Sequence, residues 1–153
     1  MNYDVIIIGA GVIGSGIARE LSRYKIKIAV IDKASELPSG ASRANSSMIH
    51  GGFDDKPGTV KAKFCVLGNK LWHKLKDELD VHMNECGSYV CAFSDDEVKH
   101  LDKLLEQGKA NGSPGVEIIS GDKLREKEPN VSGEIIAAVA DDAKVDDGAW
   151  TCG

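Results

Sequence analysis

A glycine-rich turn at residues 9–14, with the sequence Gly-Ala-Gly-Val-Ile-Gly, constrains the fold of this chain more than any other feature. It follows the β-branched, nearly all-apolar run 3–8, whose composition is typical of a parallel strand buried on both faces. Apolar residues then recur every four positions, which predicts a helix over residues 12–24. A second buried-strand run at 27–31 ends at Asp32. The opening of the chain is therefore predicted to be a βαβ unit with tight connections.

The spacing G-x-G-x-x-G alone is a weak signal, but a preceding strand, a following helix and an acidic residue after the next strand make it specific. Gly9 permits the tight turn, Gly11 lets a pyrophosphate approach the backbone, and Gly14 lets the helix lie close to the strand. The helix N-terminus offers N–H groups and a partial positive charge to phosphates. Asp32 would accept hydrogen bonds from the adenosine ribose and repel a 2′-phosphate, so the unit is predicted to bind an ADP-containing dinucleotide other than NADP.

The remainder of the chain does not continue the pattern of a doubly wound nucleotide fold. Residues 33–58 show neither helical nor strand periodicity and are predicted to form a long loop. Beyond the loop we expect a long amphipathic helix, a hairpin, a second helix, a strand, a short helix and a last strand. These lie at residues 59–79, 81–93, 95–112, 116–119, 121–128 and 134–140.

Composition limits the classes of function. The 153 residues carry a net charge of -5 with acids and bases mixed along the chain, so nothing electrostatic indicates a nucleic acid or an anionic membrane. The apolar run near the start is too short to span a bilayer and lacks the features of a secretion signal, which favours a cytoplasmic protein. Cys65, Cys86, Cys91 and Cys152 have neither zinc-site spacing nor the density of a disulfide scaffold, so free thiols and no metal site are expected.

The glycine turn does not choose between FAD and NAD, because both cofactors bring an ADP half to the same place. The loop makes the choice. An NAD domain would continue with a helix and a strand soon after Asp32, whereas residues 39–47 are dense in small hydrogen-bonding side chains that can wrap a long cofactor. FAD is therefore the predicted cofactor, and a fragment of an NAD-dependent dehydrogenase is the alternative.

Several segments together resemble one group of flavoproteins. They are residues 4–14, Asp32, 42–46, 49–53 and 55–59, with 85–88 and 128–129 later in the chain. In this pattern the chain is similar to the N-terminal part of the glycerol-3-phosphate dehydrogenase and oxidase group, within the D-amino-acid-oxidase-like family of FAD-dependent oxidoreductases. The resemblance covers nearly the whole chain, and residues 42–59 are its most specific part.

The resemblance implies an extended FAD, with its pyrophosphate at the glycine turn, its ribose at Asp32 and the residues of the loop along the dinucleotide. The backbone of residues 50–52 would lie beside the isoalloxazine, and His50 is the single candidate catalytic side chain. A histidine can serve as a base or stabilise a developing charge; the alternative is that His50 contributes only its backbone. The predicted cofactor-binding residues are Gly9, Ala10, Gly11, Val12, Ile13, Gly14, Asp32, Lys33, Ser42, Asn45, Ser46 and Gly51.

The implied fold is α/β: an incomplete Rossmann-like FAD/NAD(P)-binding domain in residues 1–80 and part of a mixed α+β substrate domain in 81–153. A two-strand parallel core needs further strands beside it, so the chain is expected to be a truncated form that exposes apolar surface. The implied reaction is hydride transfer from a small anionic hydroxy compound to flavin, with glycerol 3-phosphate as the first candidate substrate. Two further hypotheses are a partner chain that supplies the C-terminal half, and an inactive remnant or assembly subunit that at most binds an ADP-containing ligand.

Overall fold

The computed structural model describes residues 2–84 and 86–141 in full and the backbone of residues 144–146. It forms two compact units, the first ending at Ser46 and the second beginning at Ser47. The assignment of residues 1–80 to a cofactor domain and 81–153 to a substrate domain is a functional one and stays a prediction. The turn residue Glu85, Cys152 and the end of the predicted second domain lie outside the described residues.

The first unit contains the predicted strand, helix and strand. Strand β1 spans Val5–Ile8, helix α1 spans Val12–Leu21, and strand β2 spans Ile28–Ile31. The two strands pair in parallel, with Val5 opposite Ile28 and Ile8 opposite Ile31. The βαβ prediction is confirmed, and the helix ends about one turn earlier than predicted.

The faces of this two-stranded sheet are far less covered than the sequence predicts. Ile7 is buried, but Ile6 is 56% exposed and Ile8 is 89% exposed. On α1, Ile13 and Ile17, which were predicted to pack on the sheet, are also exposed. The prediction of a strand buried on both faces is therefore wrong for the described residues, because two strands and one helix are too few to enclose either layer. The expectation that this chain exposes apolar surface is confirmed.

The second unit combines three helices with two small sheets. Its elements in chain order are β3 (Met48–Ile49), α2 (Val60–Leu79), β4 (Met83–Asn84), β5 (Ser88–Ala92), α3 (Asp95–Asn111), β6 (Glu117–Ser120), α4 (Gly121–Lys127), β7 (Ala137–Asp141) and β8 (Lys144–Asp146). Each helix begins where a hydroxyl side chain accepts a hydrogen bond from an amide three residues on, at Thr59, Ser94 and Ser120. The three predicted helices are confirmed.

The strands pair differently from the prediction. β4 and β5 were expected to form a hairpin, but β5 pairs with β7 and β4 pairs with β8, both antiparallel. The sheet orders are β5-β7-β6 and β3-β8-β4. β3 and β8 were not predicted, because strands of two and three residues show no measurable periodicity.

Strand β7 is the centre of the second unit. Its residues alternate between two apolar clusters, as the strand period of two requires. Val139 packs with Phe53, Leu101 and Leu104 on one side, whereas Ala138 and Ala140 pack on the other side with Ile119, Leu124 and Ile135. Phe53, a loop residue, thus belongs to the core between α3 and the sheet. No helix among the described residues is both long and apolar enough to cross a bilayer.

Helix α2 buries a different face from the one its apolar pattern predicts. The predicted stripe includes Val60 and Phe64, which are 72% and 61% exposed. The buried positions are instead Ala62, Val66 and Asn69, which are spaced by four and three residues along one side. The apolar stripe is uncovered in the part of the chain that the structure describes.

Asn69 gives a test of this packing. Its side chain is 1% exposed, and neither its Oδ1 nor its Nδ2 has a hydrogen-bond partner among the described residues. An unsatisfied buried polar group costs about 1–3 kcal/mol, so Asn69→Leu is expected to raise the free energy of unfolding by about 1 kcal/mol. Urea denaturation of the variant and the wild type measures the difference. Equal or lower stability of Asn69→Leu would contradict the buried, unpartnered position, and exposed Lys70→Leu serves as the control for added apolarity.

Candidate functional site

The glycine turn between β1 and α1 is held by contacts that only glycine permits. Gly9 has φ of 104°, in the left-handed region that favours glycine, and its N–H donates to the Ile31 carbonyl at 2.7 Å. A side chain at Gly14 would collide with the carbonyl oxygen of Gly9. The end of β1, the start of α1 and the end of β2 are therefore packed backbone against backbone, as the sequence predicts for Gly9 and Gly14.

Ser42, a residue of the loop after β2, accepts a hydrogen bond from the first amide of α1. The Val12 N–H donates to Ser42 Oγ at 3.0 Å, and a Cβ built on Gly11 would lie 2.9 Å from the same oxygen. Ser42 is positioned by a 3-10 turn, Gly40–Ser42, and the Asn45 side chain donates to the Ser42 carbonyl at 3.0 Å. The first turn of α1 carries no acidic side chain. No carboxylate of the helix itself therefore competes with an anion for the partial positive charge of this N-terminus.

Asp32 joins the turn after β1 to the turn after β2. One carboxylate oxygen accepts the Ala10 N–H at 2.8 Å, and the other accepts the Ala34 N–H at 2.8 Å. The hydrogen bond from Ala10, then that from Ala34, hold the pKa of Asp32 below its ordinary value. A carboxylate has about four acceptor positions, so acceptor capacity remains after these two bonds.

The other predicted cofactor residues of the first unit lie around this turn. Ile13, Lys33, Asn45 and Ser46 are exposed, and Ala10 is half-buried. The structure thus brings Asp32 to Ala10 and Ser42 to Val12 by hydrogen bonds, with Gly11 between these two positions in the sequence. Cofactor contact by every predicted residue, including Lys33, Ser46 and Ile13, stays a prediction.

The loop after β3 lies in the second unit and carries the remaining predicted residues. His50 is exposed, whereas Gly51, Gly52, Phe53 and Asp55 are buried. Gly52 has φ of 84°, and a Cβ there would lie 3.0 Å from Val66 of α2. The loop is thus packed tightly into the second unit immediately after His50.

Asn111 and Ser113, which the sequence analysis did not identify as site residues, fix this loop. Asn111 Nδ2 donates to the carbonyls of Gly52 and Asp55 at 2.9 and 2.7 Å, and Ser113 Oγ donates to the Gly51 carbonyl at 2.7 Å. The bonded residues are separated by 56 to 62 positions in the sequence. No local sequence pattern indicates these contacts, since in the sequence Asn111 has only the features of a residue at the end of a helix.

Asp55 anchors the other end of the loop to α2. Lys61 Nζ lies 2.6 Å from Asp55 Oδ1. Burial is the largest influence on the pKa of Asp55 and would raise it, but the hydrogen bonds from Lys61 and Cys65, with the charge of Lys61, outweigh burial and lower it. Burial, and then the bond to Asp55, raises the pKa of Cys65 to about 11. The Cys65 thiol therefore stays protonated near neutral pH and acts as a donor rather than a nucleophile.

The first unit has the features of a dinucleotide-binding βαβ unit. A helix whose first turn carries no acidic side chain, a turn of small residues and a carboxylate at the end of the next strand fit the pyrophosphate and the ribose of an ADP moiety. Among the residues that the structure describes, no group of three or more His, Cys, Asp or Glu side chains could hold a metal ion.

Comparison with known proteins assigns the chain to a family. The family described as FAD dependent oxidoreductase matches residues 4–153. The chain therefore belongs to the FAD-dependent oxidoreductase family, and the resemblance inferred from the sequence is confirmed.

Individual relatives share most of this chain. A glycerol 3-phosphate dehydrogenase of Caloramator mitchellensis is 48% identical over 137 residues, which cover 90% of this chain and 28% of that protein. A mitochondrial L-2-hydroxyglutarate dehydrogenase of Caenorhabditis elegans is 36% identical, with coverage of 86% and 31%. The structure of dithionite-reduced L-alpha-glycerophosphate oxidase from Mycoplasma pneumoniae with FAD bound has a TM-score of 0.86 at 33% identity, over 97% of this chain and 40% of that one. The chain thus spans less than half the length of these relatives.

The lowered pKa of Asp32 gives a test of the turn. A carboxylate with a depressed folded pKa stabilises the fold above its ordinary pKa, and this stabilisation is lost as the pH falls through the depressed value. We therefore expect Asp32 to titrate below 3.8 and the turn to lose its support only under more acidic conditions. Carbon-13 NMR of the side-chain carboxyl measures the midpoint. A midpoint at or above 3.8 would show that the pKa is not lowered, and would contradict the hydrogen bonds from Ala10 and Ala34 to the carboxylate.

Proposed function

We propose that this chain is the N-terminal portion of an FAD-dependent oxidoreductase that oxidises a small anionic hydroxy compound. The observation that carries the proposal is the joint contact of Asp32 with the Ala10 amide and of Ser42 with the Val12 amide, around a turn that excludes side chains. The small residues of the turn let a pyrophosphate approach the partial positive charge at the N-terminus of α1, and the oriented Asp32 carboxylate can accept a hydrogen bond from a ribose. FAD, when bound, supplies the acceptor for a hydride.

Each predicted cofactor residue except Lys33 has a proposed role, and the backbone of residues 50–52, which includes Gly51, would lie beside the isoalloxazine. The glycine turn takes the pyrophosphate, Asp32 takes the adenosine ribose, and Ser42, Asn45 and Ser46 follow the dinucleotide. Asp32 can perform its role because its carboxylate is already oriented by two backbone amides. Its negative charge disfavours a 2′-phosphate, which supports a cofactor without one.

Glycerol 3-phosphate is the substrate we propose first. Support comes from the relatives named for activity on glycerol 3-phosphate, while those named for L-2-hydroxyglutarate provide the competing substrate. Oxidation of a secondary alcohol removes a hydride from carbon and a proton from the hydroxyl group, and leaves a ketone. We propose that His50, exposed at the start of the loop after β3, accepts the hydroxyl proton at an imidazole nitrogen.

The uncovered sheet supports a further part of the proposal. Ile6, Ile8 and Ile31 are exposed on the same face of two neighbouring, paired strands. Contiguous apolar patches of this kind are rare on free soluble proteins and mark surfaces that bind other protein segments. We propose that additional polypeptide, of the kind present in the longer relatives, covers these strands, either within one protein or as a partner chain.

A location in the cytoplasm is proposed on the free thiols of Cys65, Cys86 and Cys91, which are typical of a reducing compartment.

The direct test is retention of FAD by the purified chain. The chain is mixed with FAD, unbound flavin is removed, and the visible flavin absorbance is recorded for the wild type, Gly11→Glu and Gly16→Glu. Gly11→Glu puts a carboxylate at the proposed pyrophosphate site, where even a Cβ meets Ser42 Oγ at 2.9 Å, and is expected to abolish binding. Gly16→Glu adds the same charge to α1 where nothing lies within 4 Å of the new Cβ, and is expected to retain FAD.

The outcomes separate the competing functions. Retained flavin that is bleached anaerobically by glycerol 3-phosphate, but not by L-2-hydroxyglutarate, supports the proposed substrate. A folded wild type that binds ADP but not FAD favours the inactive remnant or assembly subunit, and a preference for NAD over FAD favours the dehydrogenase fragment. Equal FAD binding by wild type and Gly11→Glu would contradict the proposed site.

A further inference from the structure

The end of helix α3 is built to hold two side-chain donors in place. Gly112 has φ of 71°, and the Ser113 N–H returns to the Gly108 carbonyl at 2.9 Å while the Gly112 N–H bonds to the Lys109 carbonyl at 3.2 Å. These are the two bonds of a Schellman motif, which fixes the backbone where a helix stops. Asn111 and Ser113 flank the left-handed glycine of this motif. Their side chains therefore start from a rigid backbone.

Asn111 ties together two carbonyls of the loop after β3. Its Nδ2 donates to Gly52 and to Asp55, so one amide group uses both of its hydrogens on the loop backbone. The Asp55 side chain is separately paired with Lys61 of α2. The loop segment from Gly52 to Asp55 is thus clamped at both ends, and Phe53 within it is buried against Leu101 and Leu104 of α3.

Ser113 holds the residue next to His50. Ser113 is 9% exposed and its Oγ donates to the Gly51 carbonyl at 2.7 Å. A Cβ built on Gly51 would lie 2.5 Å from Asp141 Oδ2 and 3.2 Å from Ser113 Oγ, so no larger residue fits there. Asp141 is itself oriented by the Ser88 hydroxyl, which donates to its other oxygen at 2.6 Å. Gly51 is therefore held by the Ser113 hydrogen bond in a position with little space for a side chain, while His50, one residue earlier, is exposed.

We propose that Asn111 and Ser113 are positioning residues, which set the place of His50 and Gly51 by holding the carbonyls of the loop from the end of α3. This inference rests on the proposed function, because that function gives His50 and Gly51 their role beside the flavin. The core packing of Phe53 and the hydrogen bonds to the loop carbonyls are separate contacts. Loss of the bonds should therefore alter the loop without removing the core.

The experiment uses the full chain as wild type, Asn111→Ala, Ser113→Ala and the control Lys109→Ala, whose exposed side chain lies on the same last turn of α3. Two quantities are measured. Hydrogen exchange followed by mass spectrometry reports the amides of residues 50–55, and titrations with FAD and with ADP report binding. ADP is the matched ligand because it needs only the glycine turn, Asp32 and their neighbours in the first unit.

We expect amide exchange in residues 50–55 to be at least about threefold faster in Asn111→Ala and Ser113→Ala than in wild type or Lys109→Ala, since each variant removes bonds that hold the loop. FAD affinity is expected to fall roughly fivefold in both variants, about the effect of one lost hydrogen bond, while ADP affinity is unchanged. If Asn111 and Ser113 contributed only to general stability, the affinities for FAD and for ADP would fall equally, and that result would overturn the proposal.

Two other outcomes are decisive. If the loop amides of both variants exchange at the wild-type rate, the positioning role is overturned, whatever the affinities for FAD and ADP. If the wild type binds ADP but no FAD, the proposed function fails, and the exchange measurement alone then decides whether α3 holds the loop. If exchange accelerates and FAD affinity does not change, the loop is held by Asn111 and Ser113 but does not position a flavin contact, which also overturns the proposal.

Discussion

The carboxylate of Asp32 is the interaction on which the first unit depends. By accepting the Ala10 amide with one oxygen and the Ala34 amide with the other, it joins the turn after β1 to the turn after β2. The glycine turn can then lie flat against the strand ends, because Gly9 supplies the left-handed backbone and Gly14 leaves room for the Gly9 carbonyl. Ser42 completes the arrangement from the loop by accepting the first amide of α1. The residues that would meet a dinucleotide are thus also the residues that define the turn.

The second unit depends on a different constraint, the burial of β7 between two apolar clusters. Val139 faces α3 and the loop residue Phe53, and the neighbouring alanines face α4. Because Phe53 is part of this core, the loop after β3 is tied to the main packing of the unit rather than lying on its surface. The hydrogen bonds from the end of α3 then fix the loop backbone next to exposed His50. The core, the end of α3 and the loop that follows the candidate catalytic residue are therefore connected by direct contacts.

The sequence predicts local features of this fold well and long-range ones poorly. The glycine spacing, the apolar runs and Asp32 predict the βαβ unit, and the helix starts predicted near residues 59 and 95 are confirmed. The pairing of β5 with β7 instead of β4 was not predictable, because turn signals at Cys86 and Gly87 specify a bend but not the partner strand. The buried face of α2 was also predicted wrongly, since a hydrophobic stripe shows what could be buried and not what is present to cover it. Asn111 and Ser113 were missed because their partners are about sixty residues away.

The central claim is that the turn between β1 and α1 binds the ADP moiety of a dinucleotide. The most direct measurement is a titration of the nitrogen-15-labelled chain with ADP, followed by NMR of the backbone amides, with adenosine as the comparison ligand. The claim predicts saturable shifts of the Gly11, Val12 and Ile13 amides with ADP that are much smaller with adenosine, because the phosphates contact the helix N-terminus. A folded chain whose amides at these positions do not respond to ADP, or respond equally to adenosine, would contradict it.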